Sequence, residues 1–316
     1  MESRARQSEG QRCRAGPGID SPEATFTAFR PLLFSVAYRL LGLPADAEDV
    51  VQESWLRYAR AAGEVRDPRA WLIQVVTRLC LDQLRSARAR HERPVGVWLP
   101  EPVLTGGSVA EDPLETVERR DLLSLGALAM LQRLSPAERA ALVLHEAIGL
   151  THAEIGAVVG ASEAGSRQLL ARARRRVAAD PARQPRPSPD AHRRLVAALR
   201  AAFDTGDAGS LVGLLREDAV LVSDAGGELP APRRPIVGPA RILRFFAGIH
   251  ERGLPGLRAT EVEVNGEPGL LFHLAGEPLY IVTSVVDADG RMRLALNVGG
   301  PTKFAYARGQ RLRLPA

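Results

Sequence analysis

Residues 180–189 hold prolines at 181, 185, 187 and 189, and this segment separates two halves that follow different rules. Such a stretch is extended and semi-rigid. Before it, apolar residues recur at spacings of three and four, the period of amphipathic helices. After it come short runs of strand character bounded by glycine turns such as Gly226-Gly227, Asn265-Gly266 and Asp289-Gly290. The 316 residues are therefore read as an all-α half joined to an α+β half.

The helical half is itself divided. Phe26, Phe29, Leu33, Val36, Ala37 and Leu40 mark a first helix, which Gly42 and Pro44 stop. A second is expected over 45–61. A third opens at Asp67-Pro68, an N-cap followed by proline at the first helical position, and continues through Trp71, Val75, Leu79 and Leu84. Residues 94–113 lose the period, gather prolines and glycines, and read as a linker. Helical pattern then resumes over 114–178. The expected organisation is a disordered extension at 1–20, a helical module at 21–93, the 94–113 linker, a second helical module at 114–179, the 180–189 linker and an α+β domain at 190–316. In that domain helices are expected at 191–204, 207–216 and 239–250, and strands at 219–223, 258–264, 269–274, 279–286 and 291–297.

The sharpest local signal lies at 134–176. Ser135-Pro136 caps one helix and Thr151 caps a second with Ile155, Val158 and Val159. Gly160 sits at a turn, and Ser162 caps a longer basic helix. Helix, glycine turn and capped basic helix is the layout of a DNA-binding helix-turn-helix. Ser162, Glu163, Ser166, Arg167, Gln168, Arg172 and Arg174 are the candidate contacts, the earlier ones to base edges and the later arginines to phosphates. Ser166 stands where such motifs more often carry an apolar residue or cysteine.

The first module carries two opposed charge features. Asp46, Glu48, Asp49, Gln52 and Glu53 crowd one stretch, and Asp49, Gln52 and Glu53 share a helix face. Downstream, Arg78, Arg85 and Arg88 are spaced to form a basic stripe, with Asp82 beside it. A basic stripe near aromatics tracks a nucleic-acid backbone and holds unstacked bases. Arginine supplies all but one of the 42 basic residues, Lys303 being the exception. Arginine suits bidentate phosphate and guanine contacts, although a GC-rich coding sequence produces the same excess. Cys13 and Cys80 are too few for a disulfide framework or a zinc site. No apolar run approaches the ~18–20 residues that cross a bilayer. A cytoplasmic protein with no membrane, metal or cofactor requirement is expected.

The stretch YRLLGLPADAEDVVQESWLRY, followed by DPRAWLIQVVTRLCLDQLRSARAR, resembles region 2 of extracytoplasmic-function sigma factors. The segment LSPAERAALVLHEAIGLTHAEIGAVVGASEAGSRQLLARARRRV is similar to their region 4. The resemblance implies that Asp49 and Gln52 dock on the clamp helices of the largest subunit of core RNA polymerase. It implies that the third helix melts the −10 element of promoter DNA and captures an extruded base, and that the recognition helix reads the −35 element. Trp98-Leu99-Pro100-Glu101-Pro102 matches a linker signature of the SigJ-like subgroup, which carries a C-terminal SnoaL-like cone of curved sheet and helices. The subgroup's DGGGK-like turn is present as Asp224-Ala225-Gly226-Gly227-Glu228. Its NPDKL-like element is degraded to Gly300-Pro301-Thr302-Lys303-Phe304, keeping Pro301 and Lys303. Trp98, Pro100, Asp224, Gly226, Gly227, Pro301 and Lys303 are thus the candidate regulatory residues, and a small ligand of the cone is a further expected partner.

Three readings follow. A sigma factor controlled in cis by its C-terminal domain accounts for both modules and the tether. A ligand-sensing DNA-binding regulator would use the helix-turn-helix alone. A fused enzyme would need an acid/base pair in the cone, where His250, His273, Asp218, Asp224 and Glu228 form no recognisable arrangement, so no catalytic residue is expected.

Overall fold

The structure, a computed structural model, describes residues 21–89, 97–108, 123–178, 189–252 and 254–310. The extension expected at 1–20, the 180–188 linker and the helical pattern at 114–122 lie outside the described residues.

The first module is α1 (Pro22–Leu41), α2 (Pro44–Ala61) and α3 (Pro68–Ala89). Ser21 caps α1 by accepting the Ala24 amide at 3.2 Å, and Asp67 caps α3 by accepting that of Ala70 at 3.0 Å. Phe26, Trp55, Tyr58 and Trp71 join the three helices through tilted ring pairs at 5.1, 6.5 and 5.9 Å. The second module is α4 (Leu125–Leu131), α5 (Pro136–Val143) running into a π-helical turn, α6 (His152–Val159) and α7 (Glu163–Ala178). One apolar cluster runs through both modules, with Leu33, Leu40, Leu72 and Val76 of the first continuous with Leu131, Leu142, Leu144 and Ile155 of the second. The two modules share a core.

The C-terminal half supplies six strands of a seven-stranded sheet in the order β1-β4-β5-β6-β7-β2-β3, the seventh coming from the 94–113 linker. The strands are β1 (Leu104–Thr105), β2 (Leu215–Asp224), β3 (Ile236–Val237), β4 (Leu257–Val264), β5 (Glu267–Leu274), β6 (Glu277–Val286) and β7 (Met292–Gly299). Neighbours are antiparallel except β2 and β7. α8 (Pro189–Thr205) and α9 (Pro239–Arg252) cover one face through Leu195, Leu199, Ile242, Leu270, Phe272 and Val282. The helix expected at 207–216 is instead a short 3₁₀ turn before β2. Asp207 accepts the Gly209 amide at 2.7 Å there, and Gly213 at φ 89° ends any helical path.

The largest departure from the sequence reading is the linker at 94–113, whose described part, 97–108, is not free. Leu104 and Thr105 form β1, paired with Val264 and Glu263 of β4. Leu99 packs with Leu125 of α4 against Leu296 and Val298, and Leu104 packs among Val264, Leu271, Ile281 and Phe304. Linker, α4 and the short α10 (Ala305–Gly309) thus cover the second face of the sheet.

Candidate nucleic-acid interface

Reciprocal caps build the helix-turn-helix. The Ser135 hydroxyl accepts the Glu138 amide at 3.4 Å while Glu138 accepts that of Ser135 at 3.1 Å. Thr151 and Glu154 repeat this arrangement at the start of α6, at 3.3 and 2.7 Å. Each satisfies backbone donors a helix start leaves open. Gly160 turns the chain at φ 77°, and a Cβ on Gly156 would lie 2.7 Å from the Ala161 carbonyl oxygen, so the turn closes only over glycine. Ser162 caps the next helix by accepting the Gly165 amide at 3.0 Å. The start of α7 is thereby presented to solvent, with Ser162, Glu163, Arg167 and Gln168 exposed.

Ser166 is a correction. It is fully buried, its hydroxyl 3.3 Å from Nδ1 of His152, on the side of α7 that also carries Leu170, Ala173 and Val177. It packs against α6, away from the exposed start of α7. Arg172 and Arg176 reach back to Glu138 at 3.3 and 2.7 Å, and Arg174 to Glu146 at 3.0 Å. Burial pushes the Glu138 carboxyl up, but the Ser135 hydroxyl and amide and the two guanidinia outweigh it and hold it below its ordinary range. All three arginines stay about half exposed, which leaves them free to share a phosphate.

Arg78, Asp82 and Arg85 project from one side of α3, with Arg85 3.3 Å from Asp82. Arg88 lies in α3, but its side chain is outside the described residues. The stripe stays exposed, Arg85 at 63% and Asp82 at 71% of their side chains, at the edge of the second module. Arg78 donates to the Ala157 carbonyl of α6 at 3.0 Å, and Arg78, Asp82, Arg85, Val158 and Gly160 line a cleft of about 230 Å³ between the modules. Beside it Arg139 of α5, 4% exposed, donates to the Leu40 carbonyl at the end of α1 and to Oε1 of Gln132 at 2.6 Å. No carboxylate pairs it among the described residues, and burial pushes its pKa down to about 10. The seam between the modules therefore holds a poorly solvated cation.

On α2 the expected acidic face divides. Asp49 and Gln52 are exposed, and Glu53 is partly so and paired with Arg57 at 2.8 Å. Asp46 and Glu48 do not join them in open solvent, because each has a partner elsewhere. Asp46 accepts from Gln83 at 2.8 Å, and burial with the nearby Asp49 raises its pKa. Glu48 pairs with Arg30 at 2.5 Å and meets the Tyr306 hydroxyl of α10 at 3.4 Å.

The linker is held from both sides. The Leu99 amide donates to Asp224 at 2.8 Å, and Lys303 donates to the Leu99 carbonyl at 2.8 Å. Asp224 and Lys303 pair with each other at 2.7 Å, and the ammonium lies 4.8 Å from the centre of the Trp98 ring. Gly226 donates its amide to Asp224 at 3.0 Å, Gly227 turns at φ 79°, and Pro301 precedes the turn bearing Lys303, so both halves of the signature serve one clamp. Pro100 is buried beside it. Further along, Tyr38 of α1 donates to the Glu101 carbonyl at 2.6 Å and accepts from Asn265 at 2.8 Å. The Glu101 carboxylate accepts the Tyr306 amide at 2.8 Å; burial raises its pKa, against the opposing pull of that amide and Lys303. One hydroxyl, Tyr38, thus joins the first module to the linker and the C-terminal domain.

Residues 25–90 match the Sigma-70 region 2 family and residues 125–177 match Sigma-70 region 4. The ECF RNA polymerase sigma factor SigJ of Mycobacterium tuberculosis is 41% identical over 289 residues, which span 88% of this chain and 92% of that one. The chain belongs to the ECF RNA polymerase sigma factors. A probable ECF sigma factor of the same organism, SigI, is 32% identical over 82% of this chain and 97% of its own length. The crystal structure of M. tuberculosis SigJ matches with a TM-score of 0.75 at 38% identity, over 90% of this chain and 98% of that one, so the likeness extends into the α+β half.

As a sigma factor the protein binds core RNA polymerase and recognises promoter DNA, and sigma factors are regulatory proteins rather than enzymes. The acid/base candidates of its C-terminal domain each have a separate partner among the described residues. His250 meets the Phe203 carbonyl at 3.0 Å at the surface, His273 meets Thr260 at 2.9 Å, and Asp218 pairs with Arg216 at 2.7 Å. His192, which sequence reasoning passed over, is buried against Ser284 at 3.0 Å. Arg139, Tyr38, Asn265 and Tyr306 were likewise missed.

Proposed function

We propose that this arrangement is the closed form of the sigma factor, held shut in cis by its C-terminal domain. The observation that carries this reading is the contact of Arg78 with the Ala157 carbonyl, which sets the −10 helix against the helix-turn-helix. The −10 and −35 elements lie roughly two helical turns apart, on the order of 70 Å at ~35 Å per turn. Two modules that share one core do not reach both elements, so promoter binding requires the seam to part. Arg139 favours parting, since opening returns a poorly solvated charge to water. The linker clamp and α4 on the sheet oppose it, at the high effective concentration of a tethered domain.

In the open form, Arg78, Asp82, Arg85 and Arg88 engage the melted −10 strand. Ser162, Glu163, Arg167 and Gln168 read the −35 element, with Arg172 and Arg174 on flanking phosphates. Asp49, Gln52 and Glu53 dock on the clamp helices of the largest polymerase subunit. That face is already exposed in the closed form, so docking precedes opening and the polymerase itself helps part the modules. The site of action is the cytoplasm. Run-off transcription with purified core polymerase tests the reading, comparing the full chain with a chain ending at Pro187. A clear change in transcript yield is expected on truncation. Equal yield and equal core affinity would remove the cis role of the C-terminal domain.

A further inference from the structure

We infer that the C-terminal domain is a peptide-recognition domain, and that residues 97–105 occupy its groove as a built-in ligand. A passive tether needs only to span a distance. The first module holds the backbone of Glu101, through the Gly42 carbonyl at 3.0 Å and the Tyr38 hydroxyl, and the domain reads the segment on either side of it. Both backbone groups of Leu99 are taken by two opposite charges of the domain, the amide by Asp224 and the carbonyl by Lys303. Asn265 takes both backbone groups of Val103, its side chain accepting the amide at 3.1 Å and its own amide donating to the carbonyl at 2.8 Å. Gln310 does the same for Leu104, at 3.0 and 2.8 Å. Leu104 and Thr105 then add a strand to the edge of β4. Edge-strand addition with alternating side-chain pockets is a general mode of peptide capture.

The pockets also select. Trp98 lies under the Lys303 ammonium, Leu99 enters the apolar surface of Leu296 and Val298, and Leu104 that of Leu271, Ile281 and Phe304. The Glu101 carboxylate caps the Tyr306 amide. The chemistry recognised is an extended peptide with an aromatic residue followed by leucine, proline and an acid. The inference deepens the closed-form reading, since displacement of this segment is then what opens the protein, but the binding activity stands without it.

The test uses a fluorescein-labelled peptide of residues 97–107 and fluorescence anisotropy. In the wild-type chain the tethered segment competes at ~mM effective concentration, so for an intrinsic affinity of ~10 µM the free peptide binds about 100-fold more weakly than its intrinsic value. The full chain carrying Leu99→Asp has its own segment weakened and should bind the peptide at least tenfold more tightly than wild type. A second chain, with 97–105 replaced by a Gly/Ser repeat, guards against misfolding caused by the aspartate, and melting curves accompany both. Adding Lys303→Met to either chain should abolish the gain, as should Leu99→Asp in the peptide. Failure of the peptide to bind either vacated chain, or a gain indifferent to Lys303→Met, would overturn the inference. In run-off transcription the peptide should raise the yield of the wild-type chain. Binding without that response leaves the groove standing and removes only the closed-form reading.

Discussion

Replacing Lys303 by methionine keeps the length of the side chain and deletes the charge at the centre of the clamp. The ammonium has three partners, Asp224 at 2.7 Å, the Leu99 carbonyl at 2.8 Å and the Trp98 ring at 4.8 Å. Removing one partner of a buried ion pair costs about 3–5 kcal/mol. Here both side chains keep about a tenth of their exposure, 10% and 9%, and Asp224 retains the Leu99 and Gly226 amides. A loss of about 2–3 kcal/mol is therefore expected, which moves the closed-to-open ratio by roughly 30- to 150-fold. The assay is run-off yield at limiting core polymerase, with melting curves alongside, for Lys303→Met, Asp224→Asn and the double variant. Each single variant should raise the yield, by less than full truncation does. The double variant should be less destabilised than the sum of the singles by at least about 1 kcal/mol, because the second change removes a group already left unpaired. Single variants that match wild type in yield and melting, or a cycle that is strictly additive, would refute this account of the clamp.

Tyr38→Phe should lower stability by about 1–3 kcal/mol and raise the open fraction, because the Glu101 carbonyl and the Asn265 amide both lose a buried partner; an unchanged melting curve would show that the hydroxyl holds nothing. Burial lowers the pKa of His192 from 6.5 to about 4, so the folded domain needs the neutral ring. That stability is fully present above pH 6.5 and is lost as the pH falls towards 4, on the order of 3 kcal/mol in all. His192→Gln should flatten the fall in urea stability between pH 7 and 4.5 relative to wild type. In the chain ending at Pro187, Gln168→Ala should weaken binding to a −35 duplex by about 1–3 kcal/mol in a gel-shift titration, and Ser166→Ala should leave its sequence preference unaltered.

What the sequence disclosed follows the range of the interaction. The caps at Asp67, Ser135, Thr151 and Ser162 are local, because the side chain and the amide it accepts lie three residues apart, and these helix starts were legible. Ser166 was also locally decidable: with Leu170, Ala173 and Val177 it repeats at four, three and four, a buried stripe rather than a DNA-facing one. The partners of the linker were hidden for a different reason. Its proline-bracketed composition resembles a spacer, while its partners Asp224, Asn265 and Lys303 lie 125 to 204 residues away. A signal for the second covered face was nevertheless present. The run LYIVTSVV in β6 does not alternate apolar with polar residues, as a strand with one wet face does. Arg139 carried no such signal, since a charged residue in ERAALVL reads as a solvated one until a second module covers it.

The central claim is that the two DNA-reading modules are clasped in the free protein and part on the promoter. Spin labels at Arg85→Cys and Ala157→Cys, both lining the cleft, report that directly by pulsed dipolar spectroscopy. Cys13→Ser removes one native thiol, and Cys80 is fully buried with its pKa raised by that burial, so it resists labelling. The free full chain should give a single short distance. Addition of core polymerase and promoter DNA should replace it with one on the order of 50 Å or more, as two turns of duplex demand. A long distance in the free protein, or a short one that persists in the promoter complex, would contradict the account.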